Sequence, residues 1–210
     1  ANKEEAIALA LRTAYGEEKS WANRSLETRW LPVSLLHTAD SNKQQVALLT
    51  TVLPNDGLLA LFSVDSKGYT LLDLTPELSR IDSVSLEQAV DDPAQEIAIT
   101  HTYDELVGAF FKITLCTLFK WSDAEQKLVA VWEHPLELEQ YDPASNFVRK
   151  QTKRSQIQFG SNEVTVYEVT TEWRLDRELD VYQATETSAE NIKYIWDQQK
   201  FNFKAHSSSS

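Results

Sequence analysis

Apolar and polar residues change rhythm once along this chain, near residue 29. Before that point Ile7, Leu11 and Tyr15, with Ala8 and Ala14 beside them, share one helical face at i, i+4 spacing, and Gly16 follows as a stop. This predicts one helix over 4–15. Its apolar stripe must cover something, most simply an open end or face of a β structure. Residues 17–27 are polar apart from Trp21 and Leu26 and predict a loop or a second helical turn. From residue 29 onward, short apolar runs alternate with turn formers. The runs 29–38, 45–53, 58–64, 69–74, 81–86, 96–100, 110–121 and 127–134 read as strands, and Asp40-Ser41-Asn42, Pro54-Asn55-Asp56-Gly57 and Asp65-Ser66-Lys67-Gly68 read as turns between them.

Asp142-Pro143-Ala144-Ser145-Asn146 then opens a polar stretch to Ser155, the expected long loop or boundary. Beyond it, 156–159, 163–173, 178–185, and 192–196 with 200–203 read as two further antiparallel pairs. EVTVYEVTTEW sets Val164, Val166 and Glu168 against Thr165, Tyr167 and Val169, as in a sheet with one wet face. One layout recurs. TLFKWSDAEQKLVAVW and KYIWDQQKFNF each run an apolar strand into a Trp, cross a short polar turn and resume after a Lys. LLALFSVDSKGYTLLDL has the same form with Val64 in place of Trp121 and Trp196. The expected fold is mainly β: antiparallel sheets of hairpins, as an incomplete propeller or a curled open sheet, with one N-terminal α-helix. The expected organisation is 1–28 helix and connection, 29–141 antiparallel β region, 142–155 loop or linker, 156–204 C-terminal hairpins of the same domain, and 205–210 a disordered tail.

Composition narrows the classes of function. With 42% hydrophobic and 25% charged residues over 210 positions, the chain is built to fold. No window approaches the roughly 18 consecutive apolar residues of a spanning helix. A net charge of −12 argues against a nucleic-acid groove and against anionic lipid. The one basic cluster, Arg149, Lys150, Lys153 and Arg154, is too short to reverse that and reads as a solvated loop. The charged start, ANKEEAIALALRTAYG, is not a signal-peptide core, and the chain contains no Met. A leader cut before Ala1 fits this start, so secretion or the cell envelope is the expectation, with the cytoplasm as the alternative. A lone Cys116 neither requires nor excludes an oxidising compartment.

The search for chemistry returns little. There is no Gly-rich phosphate loop, GxSxG elbow, HExxH or CxxC, and five glycines are few for cradling phosphates. His37, His101, His134 and His206 show no chelating spacing. Cys116 lies in an apolar run and reads as a small hydrophobe. A hydrolase needs only two facing carboxylates, and EHPLELEQYD offers Glu133 and Glu137 while HTYDEL offers Asp104 and Glu105. Among 32 acidic residues such clusters also arise on solvated faces. Six tryptophans offer another route, because an exposed indole can stack on a pyranose face. Trp121, Trp132 and Trp196 are the candidate ligand-binding residues, with packing inside hairpins as the competing role.

SLEQAVDDPAQEIAI and the strand-rich segment after it resemble FG-GAP or VCBS-like β-propeller repeats of secreted proteins. Glu96-Ile97-Ala98-Ile99 matches the repeat's ending and residues 118–131 match its hairpin. The resemblance implies a calcium loop, for which Asp91, Asp92 and Glu96 are the side-chain candidates. This chain replaces the family's alternating Asp-Gly with Asp91-Asp92-Pro93-Ala94-Gln95, which lowers the ligand count. The function expected from all of this is a non-catalytic extracellular or cell-envelope β protein that binds a protein or polysaccharide partner. The alternatives are a carboxylate-dependent hydrolase and a structural subunit that self-associates through an open sheet edge.

Overall fold

A computed structural model of the chain describes residues 2–16, 21–36, 44–52 and 54–206, with Glu77 in its backbone alone. The expected turn at Asp40-Ser41-Asn42, His37, Leu53, the end of the 29–38 run and the last four serines lie outside the described residues. The helix α1 spans Lys3–Tyr15 and begins with a capping box: Asn2 accepts from the Glu5 backbone while the Glu5 side chain accepts from the Asn2 backbone. Among the described residues twelve strands follow: β1 Leu26–Val33, β2 Gln44–Val52, β3 Asp56–Asp65, β4 Gly68–Leu78, β5 Arg80–Glu87, β6 Glu96–Glu105, β7 Phe111–Ser122, β8 Lys127–Tyr141, β9 Arg149–Gly160, β10 Glu163–Asp176, β11 Val181–Asp197 and β12 Asn202–His206. They form two open antiparallel sheets in which sequence neighbours are sheet neighbours, one of four strands (β1–β4) and one of eight (β5–β12). The expected class, mainly β with hairpins and one N-terminal helix, is what is found.

Two compact units divide the chain. The first contains residues 1–88, 92–101 and 118–130, and the second 89–91, 102–117 and 131–210. In the first unit the run LLALF of β3 explains itself, because both faces of its sheet are covered. Leu58, Ala60 and Phe62 pack with Leu48 against Ala6, Ala10 and Leu11 of α1. Leu59 and Leu61 pack with Ala47 and Leu49 against Ile81, Ile97, Ile99, Phe119 and Trp121. A strand buried on two sides reads as continuously apolar. The helix thus covers a sheet face. At the start of β3, Gly57 is required by close approach, since a Cβ there would lie 2.1 Å from the Ser79 carbonyl oxygen.

The hairpin layout seen in the sequence is structural. Trp121 and Trp196 each donate their indole N–H two residues ahead into the turn, to Asp123 Oδ1 at 3.0 Å and Gln198 Oε1 at 2.8 Å. Gln126 and Phe201, five residues after each Trp, both take the left-handed backbone that re-enters the returning strand.

In the second unit β10 alternates as expected, with Val164, Val166 and Glu168 buried and Tyr167 exposed. Three expectations are corrected there. The stretch 142–155 is a turn only as far as residue 148, with a short 3-10 segment at Pro143–Ser145; β9 then begins at Arg149. Its polar residues pair across the sheet, Lys150 with Glu139, Lys153 with Glu168 and Gln151 with Glu172, so the basic cluster is strand rather than solvated loop. Next, 178–180 belong to a turn, while 181–185 and 192–196 are parts of a single 17-residue strand, β11, held in register by β10 along most of its length. Finally, Ala205 and His206 close β12 opposite Tyr194 and Lys193 and so are not tail.

Candidate functional site

The structure places most of the predicted site residues in packing roles. Trp121 is 6% exposed within the first unit's core, and Trp132 is 5% exposed. The Trp132 ring stacks on His134 at 5.9 Å and meets Phe159 and Tyr194 edge-on. Trp196 is half-buried, with Phe201 and Phe203 at 5.3 and 5.1 Å. A buried indole face cannot stack on a sugar, so the ligand-binding reading of Trp121 and Trp132 is corrected, and Trp196 already carries two rings.

The calcium candidates do not assemble either. Asp92 and Glu96 converge on Lys120, whose Nζ lies 2.9 Å from Asp92 Oδ2 and 2.6 Å from Glu96 Oε1. Two of the three candidate ligands are thus paired with an ammonium group. Asp91 instead donates its backbone N–H to Asn162 Oδ1. Among the described residues no group of three or more His, Cys, Asp or Glu side chains is placed to hold a metal ion.

The proposed catalytic carboxylates are dispersed. Glu133 accepts from Thr117 Oγ1 at 2.8 Å, and Glu137 lies opposite Arg154 in a shallow groove shared with Lys112 and Glu139. Asp104 faces Lys112 at 3.8 Å, and the Glu105 carbonyl caps the turn into Phe110. Cys116 is buried, as a small hydrophobe would be, and His101 is buried and accepts from the Ser79 backbone through Nδ1.

Sequence reading missed a buried polar knot in the second unit. The register of β9 and β10 sets Ser155 opposite Glu168. His134 Nε2 lies 3.2 Å from both Glu168 Oε2 and Ser155 Oγ, while Nδ1 faces the Tyr194 hydroxyl at 3.2 Å. Lys153 completes the set at 2.7 Å from Glu168 Oε1. Burial lowers the His134 pKa against the opposing pull of Glu168. Burial alone would raise Glu168, but Lys153 and His134 together bring it below the usual range. The neutral ring can donate from Nε2 to Glu168 and accept Tyr194 O–H at Nδ1. This is not a nucleophilic triad, because Ser155 and the carboxylate share one ring nitrogen where a triad places them on opposite ones. The alternation of β10 marked Glu168 as inward-facing, but its partners are far away in sequence.

A second missed constellation is open to solvent. Leu106, Phe110, Tyr141, Phe147 and Tyr182 line a cleft of about 380 Å³. Phe110 and Phe147 sit 4.7 Å apart, and both hold a left-handed backbone, with φ of 61° and 59°. For bulky L residues that conformation costs roughly 1–2 kcal/mol each. The turn enforces it: Asp142 caps the 3-10 segment through Ala144 N–H and accepts the Phe147 N–H at its carbonyl, while the Phe110 carbonyl accepts from Tyr141 N–H. The Tyr182 hydroxyl donates to the Phe147 carbonyl.

Beside the cleft, Lys150 Nζ stands 4.7 Å from the Tyr182 ring, 5.3 Å from Tyr141 and 5.7 Å from Trp173. It also pairs with Glu139 at 2.9 Å. That hydrogen bond holds the Glu139 carboxyl below its ordinary pKa, and burial with the Glu139 contact raises Tyr141. The site is thus an aromatic cradle with one charge pair at its side. The sequence signal was the pair of aromatics beside turn formers, Phe110 after Gly108-Ala109 and Phe147 after Asn146. Comparison with protein-family models, with curated proteins and with solved structures finds no match for this chain.

Proposed function

We propose that this chain is a non-catalytic binding protein that holds a polysaccharide through the aromatic cleft. The observation that carries the reading is that two phenylalanines are kept in a costly backbone conformation to present rings at an open surface rather than in a core. Strain of that kind persists where surrounding structure over-determines it, and it gathers at ligand clamps. Tyr141 and Tyr182 add rigid ring area at low conformational-entropy cost, which suits stacking on pyranose faces. The volume falls within the range of small-ligand sites. An extracellular or cell-envelope location belongs to the same reading, and the repeat resemblance of 96–99 and 118–131 points the same way.

A hydrolase fits less well. A general acid at neutral pH needs a raised carboxyl pKa, and Glu139, which accepts from the Tyr141 hydroxyl at the cleft, is lowered.

The test is calorimetric titration with neutral, acidic and amine-bearing soluble polysaccharides, using the native chain and Phe147→Gly. Glycine removes the ring and suits the left-handed backbone. Native protein should bind one class, and Phe147→Gly should bind it at least about tenfold more weakly while remaining folded, as for loss of an aromatic anchor. Equal binding by the variant, or no binding by the native chain, would sink the reading.

A further inference from the structure

Strand β11 is paired on one side with β10 along 181–195, but on the other with β12 only along 193–197. Among the described residues the outer edge of 181–192 therefore has no neighbouring strand. Nearly every side chain along it is exposed. A strand edge of this length offers a row of outward N–H and C=O groups to a further strand, and proteins ordinarily blunt such edges with Lys, Pro or inward charges. Residues 181–192 contain neither Lys, Arg nor Pro. One irregularity breaks the edge, a bulge that leaves Thr185 without a register partner between Ala184 and Glu186.

The charge on this edge selects the occupant. Glu186 lies directly opposite Glu172 on β10, and Glu190 directly opposite Glu168. Like charges facing each other across a sheet are destabilising. The inner members are compensated, Glu172 by the Gln151 amide and Glu168 by Lys153 and His134. The outer members, Glu186 and Glu190, share one face and lie on the unpaired side. A second copy of this chain would bring the same two glutamates and a further −12 of net charge. A basic strand would bring cations to the positions beside them.

We propose that the 181–192 edge of β11 accepts an extended basic segment of a protein partner as an added β-strand, with Lys or Arg on the face of Glu186 and Glu190 and small or β-branched residues on the face of Thr187, Ala189 and Asn191. Backbone pairing supplies affinity and alternate side chains supply selectivity. The edge shares Tyr182 with the aromatic cleft at its start, but its acidic part around Glu186 and Glu190 lies outside the cleft lining and does not depend on what the cleft binds.

The probe is a synthetic peptide alternating Thr or Val with Lys, labelled for fluorescence anisotropy against the full chain. Two further versions carry backbone N-methyl groups on alternate residues, one on the odd set and one on the even. Strand addition uses the N–H groups of one set only, so one methylated version should lose binding and the other keep it. The double variant Glu186→Lys, Glu190→Lys should bind the basic peptide at least about tenfold more weakly, the size expected for two charge pairs together. Because it also relieves two Glu–Glu pairs, it should remain folded. Equal retention of binding by both methylated versions would reduce the contact to unspecific charge attraction, equal loss would show that no single set of N–H groups pairs, and either result would overturn the proposal. So would no binding of the parent peptide, or a concentration-dependent dimer of the native chain that Glu186→Lys, Glu190→Lys alters, since the occupant would then be a second copy.

Discussion

Lys120 shows what a single residue decides in this protein. Its side chain is 5% exposed, and its ammonium group pairs with Glu96, whose side chain is fully buried, and with Asp92. Removing one member of a buried pair strands the other charge away from water. Lys120→Met should therefore cost about 3–5 kcal/mol in urea unfolding, and adding Glu96→Leu should restore much of it. Because the cation is already present, millimolar calcium or EDTA should leave the melting midpoint of the native chain unchanged. A calcium-dependent rise would return Asp91, Asp92 and Glu96 to consideration as ligands.

His134 gives a pH signature at the same scale. Its folded pKa lies below the ordinary 6.5, because burial disfavours the imidazolium. The unfolded chain therefore binds the proton more readily, and the stability due to this residue, complete above about 6.5, is lost as pH falls toward the folded value. Glu168, also lowered, adds a second loss that begins lower, below its ordinary 4.5. His134→Gln should flatten the upper part of the stability profile and reduce, without abolishing, the lower part, since Lys153 still lowers Glu168. An unchanged profile in that variant would mean the ring titrates as if in water.

Among the elements, β9 and β11 are the instructive ones. Residues 149–155 of β9 and 186–191 of β11 lack the apolar pattern of a strand, and both are strand because β10 pairs with their backbones; β9 also gains counter-charges from Glu139 and Glu168. Trypsin should accordingly spare Arg149, Lys150, Lys153 and Arg154 in the native protein, although they are the densest basic cluster in the chain. Rapid cleavage there would mean β9 opens readily. The turn before β9 tests a different balance. In Phe147→Gly, relief of left-handed strain opposes loss of the contact with Phe110, which is worth about 0.5–1.5 kcal/mol. The melting midpoint should move by only a few degrees. A loss above about 3 kcal/mol would mark Phe147 as a packing residue of the kind found in cores.

For the molecule as a whole, a charge of −12 sets the response to salt. Self-repulsion of a strongly acidic chain weakens the compact state and is screened by ions. Raising salt from about 20 to about 150 mM, where the screening length falls to near 8 Å, should raise the melting midpoint. A fall would mean that exposed ion pairs such as Lys193 with Glu163 outweigh the repulsion. The same screening should weaken a basic strand at the β11 edge, so the two effects of salt run in opposite directions.

What the sequence determined by itself was local. Period-two alternation, turn formers and the i, i+4 stripe specify α1, the hairpins and the antiparallel class, because each depends on residues a few positions apart. The repeated Trp hairpin was legible for the same reason: its indole-to-turn hydrogen bond spans two residues. What only the tertiary structure decided was which side chains meet across strands. His134, Ser155, Glu168 and Tyr194 come from four strands, and the aromatic cleft gathers residues from Leu106 to Tyr182. Their meeting depends on register and on sheet order, which no local pattern carries. The same holds for burial: Trp121 and Trp132 look like ring platforms until neighbouring strands cover them, and Phe147 looks like loop until a capped turn holds its ring at the surface.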